Sequence, residues 1–246
     1  MRRIEILDCP VDIATTEETL EYIVSSVDQK KFIQHGVVNV AKMINMRKDK
    51  ELRDAVSSCD IINVDGMGVV LGARFLGYDI PHRVTGIDLF HRLIDISADK
   101  NYPIYLLGAT EEVVSLACSK LIKDTPGLRI VGFHHGYFWE DEEEVVESIR
   151  KSGAKLLFVA ITSPKKEVFI NKWGKHLGVH FAMGVGGTFD IVAGKTRRAP
   201  VFMQNSGLEW LYRIIQEPRR MWKRYLYTNL YFLYLIIKYR IWGSGK

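Results

Sequence analysis

Several features that define common protein classes are absent from this sequence of 246 residues. Its three cysteines, Cys9, Cys59 and Cys118, lie far apart and form no Cys-x-x-Cys pair. We therefore expect neither a disulfide framework nor a structural zinc site, and the composition indicates a reducing, cytosolic compartment. The two arginines near the start are followed by no apolar run, so we expect no signal peptide.

Motifs that hold metals and nucleotide cofactors are missing as well. The sequence contains no Asp-x-Asp, the usual manganese clamp of nucleotide-sugar transferases, and no His-Glu-x-x-His. The seven histidines show no ligand spacing, so we predict no metal site and no cofactor. No Gly-x-Gly-x-x-Gly follows the first apolar run, which argues against a nicotinamide-dependent oxidoreductase.

The charged residues are divided unevenly along the chain. Residues 196–246 carry ten basic and two acidic side chains, whereas residues 1–195 carry 24 basic and 27 acidic ones. The net charge of +5 thus combines a mildly acidic body with a strongly basic tail. Such a tail needs an anionic partner.

The tail lacks a hydrophobic run long enough to cross a bilayer. Its longest uncharged run, Tyr225–Ile237, has thirteen residues, whereas a spanning helix needs about 20 apolar ones. Three tryptophans and six tyrosines among lysines and arginines are typical of a helix that lies in the interface of an anionic membrane. The alternative is a helix packed on the body or on another subunit of a homo-oligomer. A nucleic-acid partner is disfavoured because the apolar run is too continuous for a groove that follows phosphates.

The body alternates short apolar runs with amphipathic helical patterns. This alternation predicts an α/β fold with a parallel or mostly parallel sheet covered by helices on both faces. Thr15 and Glu18 form a capping box that starts the first helix. In the tail we expect helices over Ser206–Gln216, capped by Asn205 or Ser206, and over Arg219–Trp242. The predicted strands are Phe32–Val38, Asp60–Val64, Pro103–Leu107, Leu128–Phe133, Ala154–Ile161 and Val179–Met183.

Ligands bind beyond the carboxyl ends of the strands in such sheets, which directs attention to the residues that follow each run. Asp65 fits two roles there, a helix cap or a general base. The amide of Asn39 is equally suited to capping the next helix and to forming a hydrogen bond with a ligand. Gly108 allows backbone N–H groups to face an anion, and the three glycines of the segment 184–187 allow closer approach to a phosphate, or form a plain tight turn.

Two basic positions lie at predicted helix starts. Arg83, two residues before Thr85, fits a phosphate clamp or a pair with a surface acid. Lys165 and Lys166 follow Pro164 at a helix N-terminus, where cations oppose the helix dipole. An anionic ligand would explain these lysines, and a solvated charge pair is the alternative.

These pieces, in this order, resemble the WecG/TagA/CpsF family of bacterial glycosyltransferases over nearly the whole chain. The block from Met183 to Arg224 is the most specific part. The matching stretches are Asn63-Val64-Asp65-Gly66, Arg83-Val84-Thr85-Gly86, Pro164-Lys165-Lys166-Glu167, Gly184-Val185-Gly186-Gly187-Thr188-Phe189-Asp190, Arg198-Ala199-Pro200, Gly207-Leu208-Glu209-Trp210-Leu211-Tyr212-Arg213 and Glu217-Pro218-Arg219-Arg220.

The resemblance implies a Rossmann-like catalytic core, residues 1–195, and a membrane-binding helical appendage, residues 196–246. The implied reaction moves a sugar from a UDP-sugar to an undecaprenyl-diphosphate-linked sugar, with inversion and without a metal. Typical donors are UDP-N-acetylmannosamine and its uronic acid, used in teichoic acid and other cell-surface polysaccharides. The implied location is the cytoplasmic face of the plasma membrane, where the protein would be peripheral.

The resemblance also assigns residues. Asp65 becomes the catalytic base, and Arg213, Arg220 and Arg224 of the tail reach towards the diphosphate. The positions expected to bind donor or acceptor are Asn39, Arg83, Thr85, Gly108, Lys166, Gly184, Gly186, Gly187 and Asp190.

Two departures from the family pattern leave the donor sugar open. Lys166 stands where the family usually has Gln, and Val37 stands where it has a hydroxyl residue. A lysine in the cleft suits a donor carboxylate or another phosphate. A UDP-glucose or UDP-glucuronic acid transferase for exopolysaccharide is therefore an alternative within the family. A non-catalytic membrane or nucleic-acid-binding protein is the alternative from another class.

Overall fold

The computed structural model describes residues 1–243, apart from the side chains of Asn205 and Arg220. The strands are β1 (Arg2–Ile6), β2 (Cys9–Ile13), β3 (Ile33–Val38), β4 (Ile61–Val64), β5 (Ile104–Gly108), β6 (Ile130–His134), β7 (Leu156–Ala160) and β8 (Phe181–Gly184). The helices are α1 (Thr16–Asp28), α2 (Val40–Met46), α3 (Lys50–Ser57), α4 (Met67–Phe75), α5 (Gly86–Asp99), α6 (Glu111–Asp124), α7 (Glu142–Ser152), α8 (Lys165–Trp173), α9 (Thr188–Val192), α10 (Val201–Asn205), α11 (Glu209–Gln216) and α12 (Pro218–Trp242), with a 3-10 turn at Gly174–His176.

The main sheet is parallel and has the strand order β4-β3-β8-β7-β5-β6. Its six strands are the six predicted apolar runs, so the predicted α/β fold is confirmed. β5 and β7 are buried along their whole length because helices cover both faces of the sheet. The predicted capping box is present too: Thr15 Oγ1 accepts from the Glu18 backbone N–H, and Glu18 Oε2 accepts from that of Thr15.

The antiparallel hairpin of β1 and β2 was not predicted, and it covers one edge of the main sheet. Asp12 Oδ2 accepts the backbone N–H of Ile62, at 2.7 Å, on edge strand β4. Arg3 pairs with the same carboxylate and donates to the carbonyl oxygens of Cys59 and Asp60. Side chains of the hairpin therefore satisfy backbone groups that an edge strand would otherwise leave open.

The last helix is part of the core. Phe232, Leu235 and Ile236 of α12 are buried in the hydrophobic cluster that also contains Ile4 and Ile6 of the hairpin. A Cβ atom on Gly72 of α4 would lie 2.8 Å from the ring of Phe232, so this glycine allows α12 to approach closely. The predicted boundary near residue 195 falls between α9 and α10, and α12 returns to pack on α2 and α4.

The predicted helix over Ser206–Gln216 is present as α11, but it begins three residues later than predicted. α10 ends at residue 205 and α11 begins at Glu209, with Leu208 in the N-cap position. Gly207 separates the two helices: its φ is +71°, and a Cβ there would overlap Met67 at 2.7 Å. The predicted cap at Asn205 or Ser206 was wrong, because Leu208 occupies the N-cap position of α11 and Ser206 follows the end of α10. Within residues 1–243, no helix combines the length and the hydropathy that crossing a bilayer requires.

Candidate active site

Asp65 and Asn39 lie side by side at the carboxyl edge of the sheet. They follow β4 and β3, neighbouring strands whose last residues, Val64 and Val38, are register partners. A Cβ on Gly66 would lie 3.1 Å from Cβ of Asn39, so the two turns are in contact. The topology therefore brings together two side chains that are 26 positions apart in the sequence.

The structure assigns the helix caps at this edge. Asn39 Oδ1 accepts the backbone N–H of Lys42 at 3.0 Å and caps α2. Thr85 caps α5, and its hydroxyl also donates to the carboxylate of Asp88. The N-cap position of α4 is occupied by Gly66, so the cap interpretation of Asp65 was wrong. Its carboxylate is left for another role.

The electrostatic surroundings of Asp65 suit a proton acceptor. Burial raises the pKa of this carboxyl group above its ordinary value, because the charged form loses hydration. Arg213, Arg83 and Lys42 act in the opposite direction, whereas Glu209 raises the pKa further. A carboxylate whose pKa is shifted towards neutral pH is a stronger base than an exposed one.

A buried group of three charges lies beside this position. Lys42 Nζ and Lys166 Nζ lie 2.7 Å and 3.1 Å from the same oxygen, Glu167 Oε1. All three side chains are at most 10% exposed, and Glu167 Oε2 has no hydrogen-bond partner among the described residues. Although burial opposes it, the two lysines lower the pKa of Glu167 to about 2, so this carboxylate is ionised at pH 7. We call these three residues the lysine cluster.

Lys166 depends on a glycine at the end of β8. A Cβ on Gly184 would lie 2.6 Å from Cδ of Lys166, so only glycine leaves room for the lysine stem. Burial, followed by the charge of Lys42, lowers the pKa of Lys166, and Arg224 acts in the same direction. The alternative of a solvated pair was wrong for Lys166, whereas Lys165 lies over the ring of Trp139.

The other glycines differ in their surroundings. Gly108 has a φ of +126°, and a Cβ there would lie 2.4 Å from the carbonyl oxygen of Ala160, so its contact with β7 requires glycine. Gly186 has a φ of +56° with no atom near its missing side chain, and Gly187 precedes α9. Asp190 is partly buried in α9, and its carbonyl oxygen accepts two backbone N–H groups. The segment from Gly184 to Asp190 is thus an open turn followed by a short helix.

Arg83 pairs with the appendage rather than with a surface acid of the body. Its guanidinium donates to Glu209 Oε2 and, at 2.5 Å, to the carbonyl oxygen of Gln204. Glu209 Oε1 accepts from Arg198 at 3.4 Å, and Arg198 donates two hydrogen bonds to Asp88, at 2.5 and 2.9 Å. We call Arg83, Glu209, Arg198 and Asp88 the interface network, because it joins the body to α10 and α11.

The tail brings cations to the same edge of the sheet. Arg213 and Arg224 are exposed, yet their charges act on Asp65 and on Lys166, respectively. The side chain of Arg220, the third arginine expected there, lies outside the described residues. No group of three or more potential metal ligands from His, Cys, Asp and Glu occurs in the part of the chain that the structure describes.

Sequence patterns missed several residues of this edge. Lys42 and Glu167 are 125 positions apart, and Arg83 and Glu209 are 126 apart. A further buried chain joins His35 Nε2 to Asn63 Oδ1 at 2.8 Å, and Asn63 Nδ2 to Thr19. Burial lowers the pKa of His35 to about 4, so the imidazole is neutral at pH 7. The signal for Asn63, Glu167 and Glu209 was their place in stretches that match the family, whereas Lys42, His35 and Thr19 gave no signal.

These features define an α/β protein with a carboxylate and several cations at the ligand-binding edge of a parallel sheet. The chain belongs to the WecG/TagA/CpsF family of glycosyl transferases, whose model matches residues 4–246. The family implied by the sequence motifs is therefore confirmed.

Two relatives carry the same name, N-acetylglucosaminyldiphosphoundecaprenol N-acetyl-beta-D-mannosaminyltransferase. The protein of Bacillus spizizenii strain W23 is 36% identical over 171 residues, which cover 70% of this chain and 66% of the relative. The protein of Bacillus subtilis strain 168 is 33% identical over 207 residues, which cover 84% of this chain and 80% of the relative.

Proposed function

We propose that this protein transfers a sugar of the N-acetylmannosamine type from UDP to the sugar of an undecaprenyl-diphosphate-linked acceptor. The relatives' names specify an N-acetylglucosaminyl-diphospho-undecaprenol acceptor and an N-acetylmannosaminyl group. The observation that carries the proposal is Asp65: a partly buried carboxylate at the strand edge, with a raised pKa and no capping role, among the charges of Arg83, Arg213 and Lys42.

The proposed reaction is a direct displacement with inversion. Asp65 takes the proton of the acceptor hydroxyl while the hydroxyl oxygen forms a bond to the anomeric carbon of the donor. The bond between that carbon and the diphosphate oxygen breaks, and UDP leaves with the electron pair. Arg213, Arg220 and Arg224 stabilise the negative charge that develops on the diphosphate, so the reaction needs no metal.

A donor that carries a carboxylate, such as a uronic acid, is the second candidate. The lysine cluster favours it, because two buried lysines share a single carboxylate oxygen of Glu167, which is one lysine more than one carboxylate neutralises. Lys166 retains N–H groups beyond the one directed at Glu167. The same residues would serve a UDP-glucuronic acid transferase.

The substitution Asp65→Asn tests the catalytic assignment. It keeps the shape of the side chain and removes its basicity, so we expect the rate of UDP release to fall about 10²–10⁴-fold. The assay combines UDP-N-acetylmannosamine or its uronic acid with a short-chain N-acetylglucosaminyl-diphosphate lipid. Asp95→Asn, on α5, is the matched control.

Three outcomes of that assay contradict parts of the proposal. An Asp65→Asn variant with full activity rejects the base, and a wild-type protein inactive with every UDP-sugar rejects the reaction. Loss of wild-type activity when EDTA is added rejects metal independence.

The tail supports a peripheral membrane location on the cytoplasmic side, where the nucleotide sugar is available. Opposite its buried face, α12 exposes an apolar stripe at helical spacing: Trp222, Leu226, Leu230, Leu233, Ile237 and Ile241. Lys223 and Lys238 lie on the same exposed helix. One helix thus packs on the core through one face and offers an interfacial apolar surface with nearby cations through the other.

Leu230→Glu tests this membrane surface. Leu230 is 60% exposed, so the substitution leaves the core intact while placing a charge in the apolar stripe. We expect co-sedimentation with phosphatidylglycerol vesicles to weaken about tenfold, given roughly 1.5–3 kcal/mol for burying one leucine. The control is Ile122→Glu on α6, which is 53% exposed outside the tail. Equal binding by both variants and the wild type would contradict the assignment.

A further inference from the structure

Glu209 holds a central place between the body and the appendage. Its two carboxylate oxygens accept from different arginines, Arg83 of the body and Arg198 of the appendage. Arg83 is only 14% exposed and Glu209 22%, so water screens this pair less than a surface pair. Arg83 also donates to the carbonyl oxygen of Gln204, next to the end of α10. The contact therefore fixes both the guanidinium and the start of α11.

The position of Glu209 on α11 links this contact to Asp65. Arg213 follows Glu209 by four residues, and side chains four apart lie on the same face of a helix. Arg213 is exposed, so packing does not fix the position of its side chain. Of the described cations, it nevertheless acts most strongly on the pKa of Asp65. The anchoring of α11 by Glu209 thus determines where Arg213 stands.

We propose that Glu209 is a positioning residue of the transfer reaction, which holds the guanidinium of Arg83 and the first turn of α11 in place beside Asp65. This inference rests on the proposed function and names a residue that touches neither the donor nor the acceptor in that reaction.

The charge of Glu209 has a second effect on the base. Among the described residues, the charged groups that act on Asp65 are Arg213 and Glu209 from α11, Arg83 from the segment before α5, and Lys42 from α2. Glu209 is the only acid among these four, and its charge adds to the rise in the pKa of Asp65 that burial causes. Loss of that charge lowers the pKa of Asp65, whereas displacement of Arg213 raises it, so substitution of Glu209 changes the basicity of Asp65.

The test is Glu209→Gln, which keeps the side-chain shape and removes the charge. We expect kcat to fall about 10–100-fold, with KM for the UDP-sugar changed less, because misplacement of supporting groups acts on the transition state. The acid limb of the pH profile of kcat/KM should move, because both the charge of Glu209 and the position of Arg213 act on the pKa of Asp65. Glu209→Asp, which retains the charge, should retain the wild-type acid limb.

The control is Glu147→Gln on α7, which removes another Glu–Arg pair at the opposite edge of the sheet. Its kcat should equal that of the wild type. A Glu209→Gln variant with wild-type kcat overturns the proposal. Lost activity with an acid limb that is unmoved also overturns it and assigns Glu209 a structural role alone.

A second measurement does not depend on activity. If Glu209 anchors α11, trypsin should cleave after Arg213 faster in Glu209→Gln than in the wild type or in Glu147→Gln, as followed by mass spectrometry. Equal cleavage rates overturn the proposal even if the proposed function is correct. A wild-type protein that transfers no sugar rejects the proposed function, whereas the cleavage rates still decide whether Glu209 anchors α11.

Discussion

The lysine cluster and the interface network each place one glutamate between two cations, but in different surroundings. In the lysine cluster, both cations face one oxygen of Glu167, and all three side chains are at most 10% exposed. In the interface network, each of the two arginines pairs with a different carboxylate oxygen of Glu209. The exposed fraction of these side chains ranges from 14% for Arg83 to 51% for Asp88.

The two groups of charges have different structural roles: one stabilises the body itself, and the other attaches the tail to the body. The lysine cluster joins α2 to α8 within the body, where burial makes every unpaired charge costly. The interface network joins the body to α10 and α11, where partial hydration lowers the cost of separation. The body should therefore depend strongly on Glu167, whereas the tail is held by contacts that can be weakened one at a time.

The largest effect is expected when Glu167→Gln breaks the lysine cluster. Two buried lysines would then lack a carboxylate, so the free energy of unfolding should fall by about 3–5 kcal/mol in urea at pH 7. Because the folded-state pKa of Glu167 is about 2, its contribution is present above the unfolded value and is lost as pH falls from about 4.5 towards 2. If the free energy of unfolding falls by less than about 1 kcal/mol, as little as in Glu147→Gln, the distinction between the lysine cluster and the interface network is contradicted.

A smaller effect is expected when Arg198→Gln breaks the interface network. The loss should be about 1 kcal/mol, since Asp88 is half exposed. Partial burial raises the pKa of Asp88, but the hydrogen bonds from Arg198 and Thr85 outweigh it and lower the pKa. The contribution is therefore present at neutral pH and disappears as pH falls below the ordinary pKa of Asp, about 3.9. If Arg198→Gln and the wild type differ in their free energy of unfolding as much at pH 3 as at pH 7, the proposed contribution of the Arg198–Asp88 pair is contradicted.

The smallest effect, and one of opposite sign, is expected for Lys166→Gln. Burial and Lys42 lower the pKa of Lys166. Below that pKa the protonated side chain therefore destabilises the folded state, and this destabilisation decreases as pH rises. The variant should gain about 0.5–1 kcal/mol at pH 7 and lose about tenfold in kcat/KM for a uronic acid donor. Lys165→Gln is the control. A destabilised Lys166→Gln variant would show that the positive charge is not in excess.

The main sheet was predictable because each of its strands is a short, nearly continuous apolar run between amphipathic helices. The hairpin of β1 and β2 was not, since its strands have only five residues each and include Pro10, a poor strand former. Its role depends on Asp12 reaching the backbone of Ile62, fifty positions away.

The candidate site was predictable only in its local parts. The strand ends at Asn39 and Asp65 follow from the alternation of strands and helices, and the resemblance selected Asp65 as the base. The contacts of Glu167 with Lys42 and of Arg83 with Glu209 were not predictable, because folding brings together residues that are 125 and 126 positions apart. The contact of Lys166 with Glu167 is between neighbours in the sequence, but its burial depends on the fold.

The hydrophobic cluster shared by β1, β2 and α12 has a consequence for synthesis on the ribosome. Ile4 precedes Phe232 by 228 positions, and Ile6 precedes Ile236 by 230. Because a chain grows from its N-terminus, this cluster cannot be completed until α12 has left the ribosome. The apolar face of the hairpin is therefore covered only after the basic, aromatic helix has been made.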